Sequence, residues 1–91
     1  MTDIDNEQIY CFDIDGTLCT DMYGDVENAE PIISRIAVVN ELKMKGATIY
    51  LQTARGMLKA KNDGVIADKN MRELTEQQLK NWGVEYDQLF F

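Results

Sequence analysis

The sequence predicts an α/β protein built on a short parallel sheet, and three observations carry that reading. Short apolar runs rich in strand formers alternate with stretches of helical period in the order β-α-β-α-β. Each connection is about as long as a helix, which is what parallel neighbours with right-handed crossovers need. The first apolar run stops abruptly at a carboxylate, Asp13, followed by a second, Asp15, and by Gly16. The 91 residues allow one small domain over 1–91, with a core of modest size.

In chain order, residues 1–7 are polar and acidic and read as a frayed lead-in. Gln8-Ile9-Tyr10-Cys11-Phe12 reads as a buried parallel strand. Residues 14–29 hold Gly16, Gly24 and several acids without helical period, so they predict a long loop or a small hairpin flap. A helix is expected from Pro31, a residue favoured at the first helical position because it has no N–H to lose. Its apolar stripe is Ile32, Ile36, Val39 and Leu42, with Lys43 and Lys45 in the last turn and Gly46 ending it. Residues 47–53 predict the second strand and 54–67 a basic, glycine-containing loop. A second helix is expected over Asp68 to Trp82, with Met71, Leu74, Leu79 and Trp82 facing inward. Residues 86–91 predict the third strand.

Composition narrows the function classes. The net charge is −7, and nine of the sixteen acids fall in residues 1–34, where there is no Lys or Arg. The remainder has nine basic and seven acidic residues. An acidic chain is poorly matched to nucleic acid, which needs cations against phosphates. No apolar run approaches the roughly 18–20 residues of a membrane span, and the acidic start does not read as a secretory signal. Cys11 and Cys19 lack metal-type spacing and there is no histidine, so the expectation is reduced thiols in a cytoplasmic protein.

The sharpest chemical signal is Asp13-Ile14-Asp15-Gly16-Thr17-Leu18. Ligands of open α/β sheets bind at the carboxyl ends of strands, which is where Asp13 falls. Two carboxylates one residue apart on a turning backbone converge on one cation or one reacting phosphorus. By chance, Asp-x-Asp-Gly-Thr is expected in on the order of one chain in a thousand of this length. Thr53 ends the second strand and so falls beside Asp13 at the same sheet edge. Arg55 follows it, and a guanidinium next to a phosphate pocket binds oxygens bidentately or forms a salt bridge instead.

These residues resemble the haloacid dehalogenase-like (HAD) phosphohydrolase superfamily, whose first motif is Asp-x-Asp-Gly-Thr-Leu or Val. The resemblance runs over about residues 8–91. Tyr10 to Cys19, Glu27-Asn28-Ala29-Glu30-Pro31-Ile32, Thr53-Ala54-Arg55-Gly56 and Leu74 to Tyr86 are similar to the small capless proteins found with bacterial capsule and surface-polysaccharide genes. It implies a three-layer Rossmann-like core, here truncated to about three parallel strands. It implies a Mg²⁺-dependent phosphatase acting on a small phosphorylated metabolite. Asp13 would be the nucleophile that forms an aspartyl-phosphate, and Asp15 the general acid and then base. The Asp13 carboxylate and the Asp15 backbone carbonyl would ligate Mg²⁺, while Thr53, Arg55, Gly16 and Thr17 would bind substrate.

The superfamily's third-motif Lys and fourth-motif acidic pair have no counterpart here. Lys59, Lys61, Asp63 and Asp68 are the residues within reach of the site as substitutes, whereas Asp87 falls at the opposite edge of the sheet. The superfamily's strand order, 5-4-1-2-3, would leave strand 1 as an edge in this chain. Such an edge invites pairing, so a homo-oligomer or a partner chain covering strand 1 is expected. Two further readings follow: a module that binds a phosphorylated ligand or a protein without turnover, or the amino-terminal half of a split hydrolase. No cap domain fits into 19–29 or 56–67, so the site should be open.

Overall fold

The computed structural model describes residues 8–21, 25–57 and 60–91. The lead-in expected over 1–7 and Lys59 lie outside the described residues. Strand β1 (Ile9–Asp13) pairs in parallel with β2 (Thr48–Gln52), which pairs in parallel with β3 (Gln88–Phe90). The order is β1-β2-β3, so β1 is an edge among the described residues. Helix α1 (Ile33–Met44) links the first two strands and α2 (Gly64–Trp82) the second pair.

Side chains alternate across a strand, so the register sorts the sheet into two faces. Tyr10 lies opposite Ile49, Phe12 opposite Leu51, and Leu51 opposite Leu89. Ile49, Leu51 and Leu89 are buried in one cluster with Ile36 and Val39 of α1 and Leu79 of α2. Both helices therefore cover the same face. The described residues form two layers of the three-layer architecture, and Ile9, Cys11, Asp13 and Phe90 stand exposed on the other face. There Tyr50 meets Phe90 edge to face at 5.4 Å.

The segment after β1 turns back beneath the helices. Ile14, Leu18 and Cys19 are fully buried. Cys19 forms an antiparallel bridge with Pro31, Thr20 N–H donates to Glu30 O at 2.9 Å, and Ile32 N–H donates to Leu18 O at 2.8 Å. This is the base of the expected hairpin flap, which also holds a short 3₁₀ turn, Val26–Asn28. Pro31 is thereby displaced from its expected role. The bridge to Cys19 holds it extended, and α1 begins two residues later behind Ile32, with no side-chain cap. At the other end, Gly46 takes a left-handed φ of +97°, which lets Ala47 N–H reach back to Leu42 O at 3.1 Å.

Helix α2 starts four residues earlier than the sequence suggests. Gly64 and the β-branched Val65 and Ile66 have weak helix propensity. The Asp63 side chain nevertheless caps the helix, accepting Val65 N–H at 3.0 Å and Ile66 N–H at 3.4 Å. Its buried face also differs from expectation: Ala67, Thr75, Gln78 and Leu79 face inward, while Met71, Leu74 and Trp82 are half-buried. The polar pair serves a buried cation described below. No helix among the described residues is long and apolar enough to cross a membrane.

Strand β3 is shorter than expected because Asp87 spends its carboxylate on fixing the strand's entry. Its side chain accepts Ile49 N–H at 2.7 Å and the Lys43 ammonium at 2.6 Å. The Ile49 hydrogen bond, followed by Lys43, holds the Asp87 carboxyl below its ordinary range. A carboxyl with a lowered folded pKa adds stability above its unfolded pKa of about 3.9, and that stability fades as pH falls through the folded value. Asp87→Ala should therefore lower the melting temperature at pH 7, and the gap from the wild type should close below about pH 4. Thermal unfolding followed by circular dichroism across pH 2–8 checks this.

Candidate active site

Asp13 is the last residue of β1 and lies opposite Gln52. The next residue, Ile14, plunges into the core, which leaves the Asp13 carboxylate exposed at the sheet's carboxyl end. Its Oδ1 accepts Ile14 N–H at 3.0 Å. The chain then winds around the Ile14 carbonyl, which accepts the N–H groups of Thr17, Leu18 and Cys19 at 3.1, 2.8 and 3.3 Å. Gly16 makes the winding possible with a φ of +84°, a region costly for any residue carrying a Cβ. Arg35 Nη1 steadies the turn from α1 by donating to Gly16 O at 3.1 Å.

Thr53 follows β2, one position beyond the residue paired with Asp13. Its N–H donates to Phe90 O at 3.0 Å, and its Oγ1 accepts Arg55 N–H at 3.0 Å. Asp13 and Thr53 line one groove of about 410 Å³, together with Cys11, Gln52, Met57 and Phe91 among others. No cation lines it. Of the expected site residues, the structure thus brings Asp13 and Thr53 to a common groove. Gly16 and Thr17 sit in the turn behind it.

Asp15 and Arg55 form a separate buried cluster. Arg55 is 4% exposed and offers five N–H donors. Nε and Nη2 each donate to the Asp15 carboxylate at 2.9 Å, a bidentate pair. Nη1 donates to Thr75 Oγ1 at 3.3 Å and to Gln78 Oε1, while Nη2 also approaches Cys19 Sγ at 3.8 Å. Five donors thus meet five acceptors, so Arg55 is fully engaged inside the protein. The ion pair is not a surface one. Burial, then the Asp15 charge, pushes the Cys19 thiol up to about 11. It therefore stays protonated near neutrality and donates to Asp15 Oδ1 at 3.4 Å.

Sequence reasoning missed Cys19, Thr75 and Gln78. The available signal was the i, i+3 pairing of Thr75 with Gln78 on the helix face that also carries Leu79. Of the residues expected as substitutes for the absent motifs, Asp63 caps α2 and Asp68 pairs with Arg72 at 2.6 Å, while Lys59 lies outside the described residues. Lys61 is exposed.

Among the described residues there is no group of three or more His, Cys, Asp or Glu that suits a metal. Mg²⁺ asks for less: one or two carboxylates, with the rest of its octahedron left to water and phosphate. An exposed, hard carboxylate at a turn fits that demand. Asp13 would hold the ion with the Asp15 main-chain carbonyl, while the Asp15 carboxylate is occupied by Arg55.

Neither a protein-family model nor a curated protein sequence matches the chain. Solved structures do. A Vibrio cholerae protein superposes with a TM-score of 0.84 at 24% identity, over 91% of this chain and 68% of that one. A chain of the Pnkp1/Rnl/Hen1 complex gives 0.67 at 18% identity, over 93% and 27%. The D,D-heptose 1,7-bisphosphate phosphatase of B. bronchiseptica, complexed with magnesium and phosphate, gives 0.61 at 16%, over 91% and 48%. The chain spans 68% of the first of these and less than half of the other two. The shared property is the fold, an open α/β sheet of parallel strands with helices packed on it.

Removing one partner of a buried, hydrogen-bonded ion pair leaves the other uncompensated and costs about 3–5 kcal/mol. That is a large share of the roughly 5–10 kcal/mol available to a small domain. Arg55→Ala should accordingly shift the urea midpoint far down or leave the chain unfolded, whereas Lys61→Ala should leave it near the wild-type value. Equilibrium urea unfolding measures both.

Proposed function

We propose that the chain is a Mg²⁺-dependent phosphohydrolase of the HAD type that acts on a small phosphorylated metabolite through an aspartyl-phosphate. The observation that carries this reading is the exposed Asp13 carboxylate at the carboxyl end of β1, sharing a groove with Thr53. An Asp13 oxygen attacks phosphorus as the bond to the leaving oxygen breaks, and that oxygen takes a proton from Asp15, which must first part from Arg55. Water then attacks the phosphorus, Asp15 recovers the proton, and phosphate leaves as Asp13 is regenerated. The Thr53 hydroxyl holds a phosphoryl oxygen. Bound Mg²⁺ supplies charge neutralisation between the nucleophile and the phosphoryl group. The motif likeness to capless proteins of surface-polysaccharide genes, and the fold shared with a heptose bisphosphate phosphatase, favour a sugar phosphate as substrate. The free, exposed Cys11 suits a reducing, cytoplasmic compartment.

The test is phosphate release from p-nitrophenyl phosphate with Mg²⁺, comparing the wild type with Asp13→Asn. Release that requires Mg²⁺ and falls to background in the variant supports the reading. Equal rates in both proteins, or none in a folded wild type, would sink it.

A second reading is favoured by the groove itself, which no cation lines among the described residues, and by the bare sheet face beside it. In this reading a second copy or a partner chain covers β1 and completes the site, and the chain alone binds without turnover or acts as half of a hydrolase. Ile9, at 62% exposure, and Cys11 mark the surface to be covered. Light scattering at tens of micromolar should then report a dimer or larger. A monodisperse monomer with β1 amides protected from exchange contradicts it.

A further inference from the structure

The groove beside Asp13 carries a side-chain amide to which the chemistry above gives no task. Gln52 is exposed at the end of β2 and takes the register position between Asp13 and Phe90. Neighbouring strands lie about 4.8 Å apart, so this residue stands next to the attacking carboxylate. Cys11 Sγ donates to Gln52 Oε1 at 4.0 Å, which turns the acceptor end of the amide toward β1. The donor end is left over: among the described residues, Nε2 meets no acceptor. The fold uses two glutamines of α2 differently. Gln77 Nε2 donates to Asn81 Oδ1 at 3.0 Å, and Gln78 Nε2 donates to Val26 O at 2.7 Å.

Facing this amide, Met57 from the loop after β2 and Phe91 from the end of β3 give the groove an apolar wall. Such a wall suits the C–H face of a ligand, and an N–H donor set beside it selects an oxygen at one defined point. A small sugar or polyol offers both, with carbons on its face and hydroxyl oxygens at its edge.

We propose that Gln52 sets the specificity of the groove by donating from Nε2 to a hydroxyl oxygen on the carbon next to the phosphate ester. The substrate class is then a phosphomonoester of a sugar or polyol with that hydroxyl free, an inference that deepens the hydrolase reading and rests on it. Gln52 moves no proton and leaves the attack on phosphorus to Asp13. Its effect is on the choice among leaving groups. A site that donates to a hydroxyl discriminates against the analogue lacking it, because the donor is then left facing carbon.

The pair 1,2-propanediol 1-phosphate and propyl phosphate differs by that one hydroxyl. In the wild type with Mg²⁺, kcat/KM should favour the hydroxylated ester by about 3- to 10-fold more than in Gln52→Met, the factor of one neutral hydrogen bond. Methionine keeps the length of the side chain and removes the donor, and comparing the two ratios cancels the intrinsic reactivity of the esters. Should Gln52→Met fail to fold by circular dichroism, Gln52→Leu takes its place. A second measurement does not depend on turnover. In Asp13→Asn with Mg²⁺, the Gln52 side-chain amide signals in nitrogen-resolved NMR should move on titration with the hydroxylated ester and stay in place with propyl phosphate. An equal ratio in wild type and variant, or amide signals that respond alike to both esters, overturns the role of Gln52 and leaves the hydrolase reading standing. Hydrolysis of p-nitrophenyl phosphate that is insensitive to Asp13→Asn, or absent from the folded wild type, overturns that reading and this role with it.

Discussion

A guanidinium without exposed surface is the constraint on which the arrangement depends. Arg55 lies after β2, Asp15 after β1, Thr75 and Gln78 on α2, and Cys19 at the base of the flap. Taking an arginine out of water costs several kcal/mol, and only full pairing offsets it. Here every N–H finds an acceptor, and the bidentate carboxylate neutralises the charge. Three segments far apart in sequence, 15–19, the loop at Arg55 and 75–78, must therefore arrive together. The apolar cluster beneath the sheet supplies the driving force for collapse, but it does not specify where the flap meets α2. The Arg55 cluster does.

The second organising fact is that both helices lie on one face of the sheet. Successive parallel strands that advance in one direction put their right-handed crossovers on the same side. Order β1-β2-β3 is such an advance. One face is thus packed by Ile36, Val39 and Leu79, while the other presents Ile9, Cys11 and Phe90 to solvent. Asp13 shares that second face by strand alternation, which is why its carboxylate is open while Asp15, one residue past the buried Ile14, is drawn inward.

Much of this was legible in particular residues. The run to Phe12, the carboxylate at Asp13 and the apolar strand ending at Thr53 gave the sheet and the placement of two groups at its edge, because strand burial and strand ends leave local traces. The stripe of Ile36 and Val39 gave the buried face of α1. Elsewhere local rules were outvoted. Pro31 has a strong preference for a helix start, yet a bridge to Cys19 holds it extended. Gly64, Val65 and Ile66 read as loop, yet the Asp63 cap and the contacts of the rest of α2 draw them into the helix. Met71 and Trp82 look like core residues, yet the helix turns Thr75 and Gln78 inward because a cation waits there.

What the sequence determined by itself was the alternation of elements, the parallel sheet and the carboxylate-bearing turn at its edge. Each of these is set by periodicity, by propensity or by a motif within a few residues. What only the tertiary structure decided was the division of labour between the two acids. Asp13 and Asp15 are alike in type and nearly adjacent in sequence. They part company because one follows the strand's alternation into the open groove. The other meets an arginine 40 positions away, brought there by the β1–β2 pairing. An ion pair of that span leaves no trace in composition or spacing, since its cause is the parallel pairing of β1 with β2, which sets the segments after the two strands side by side.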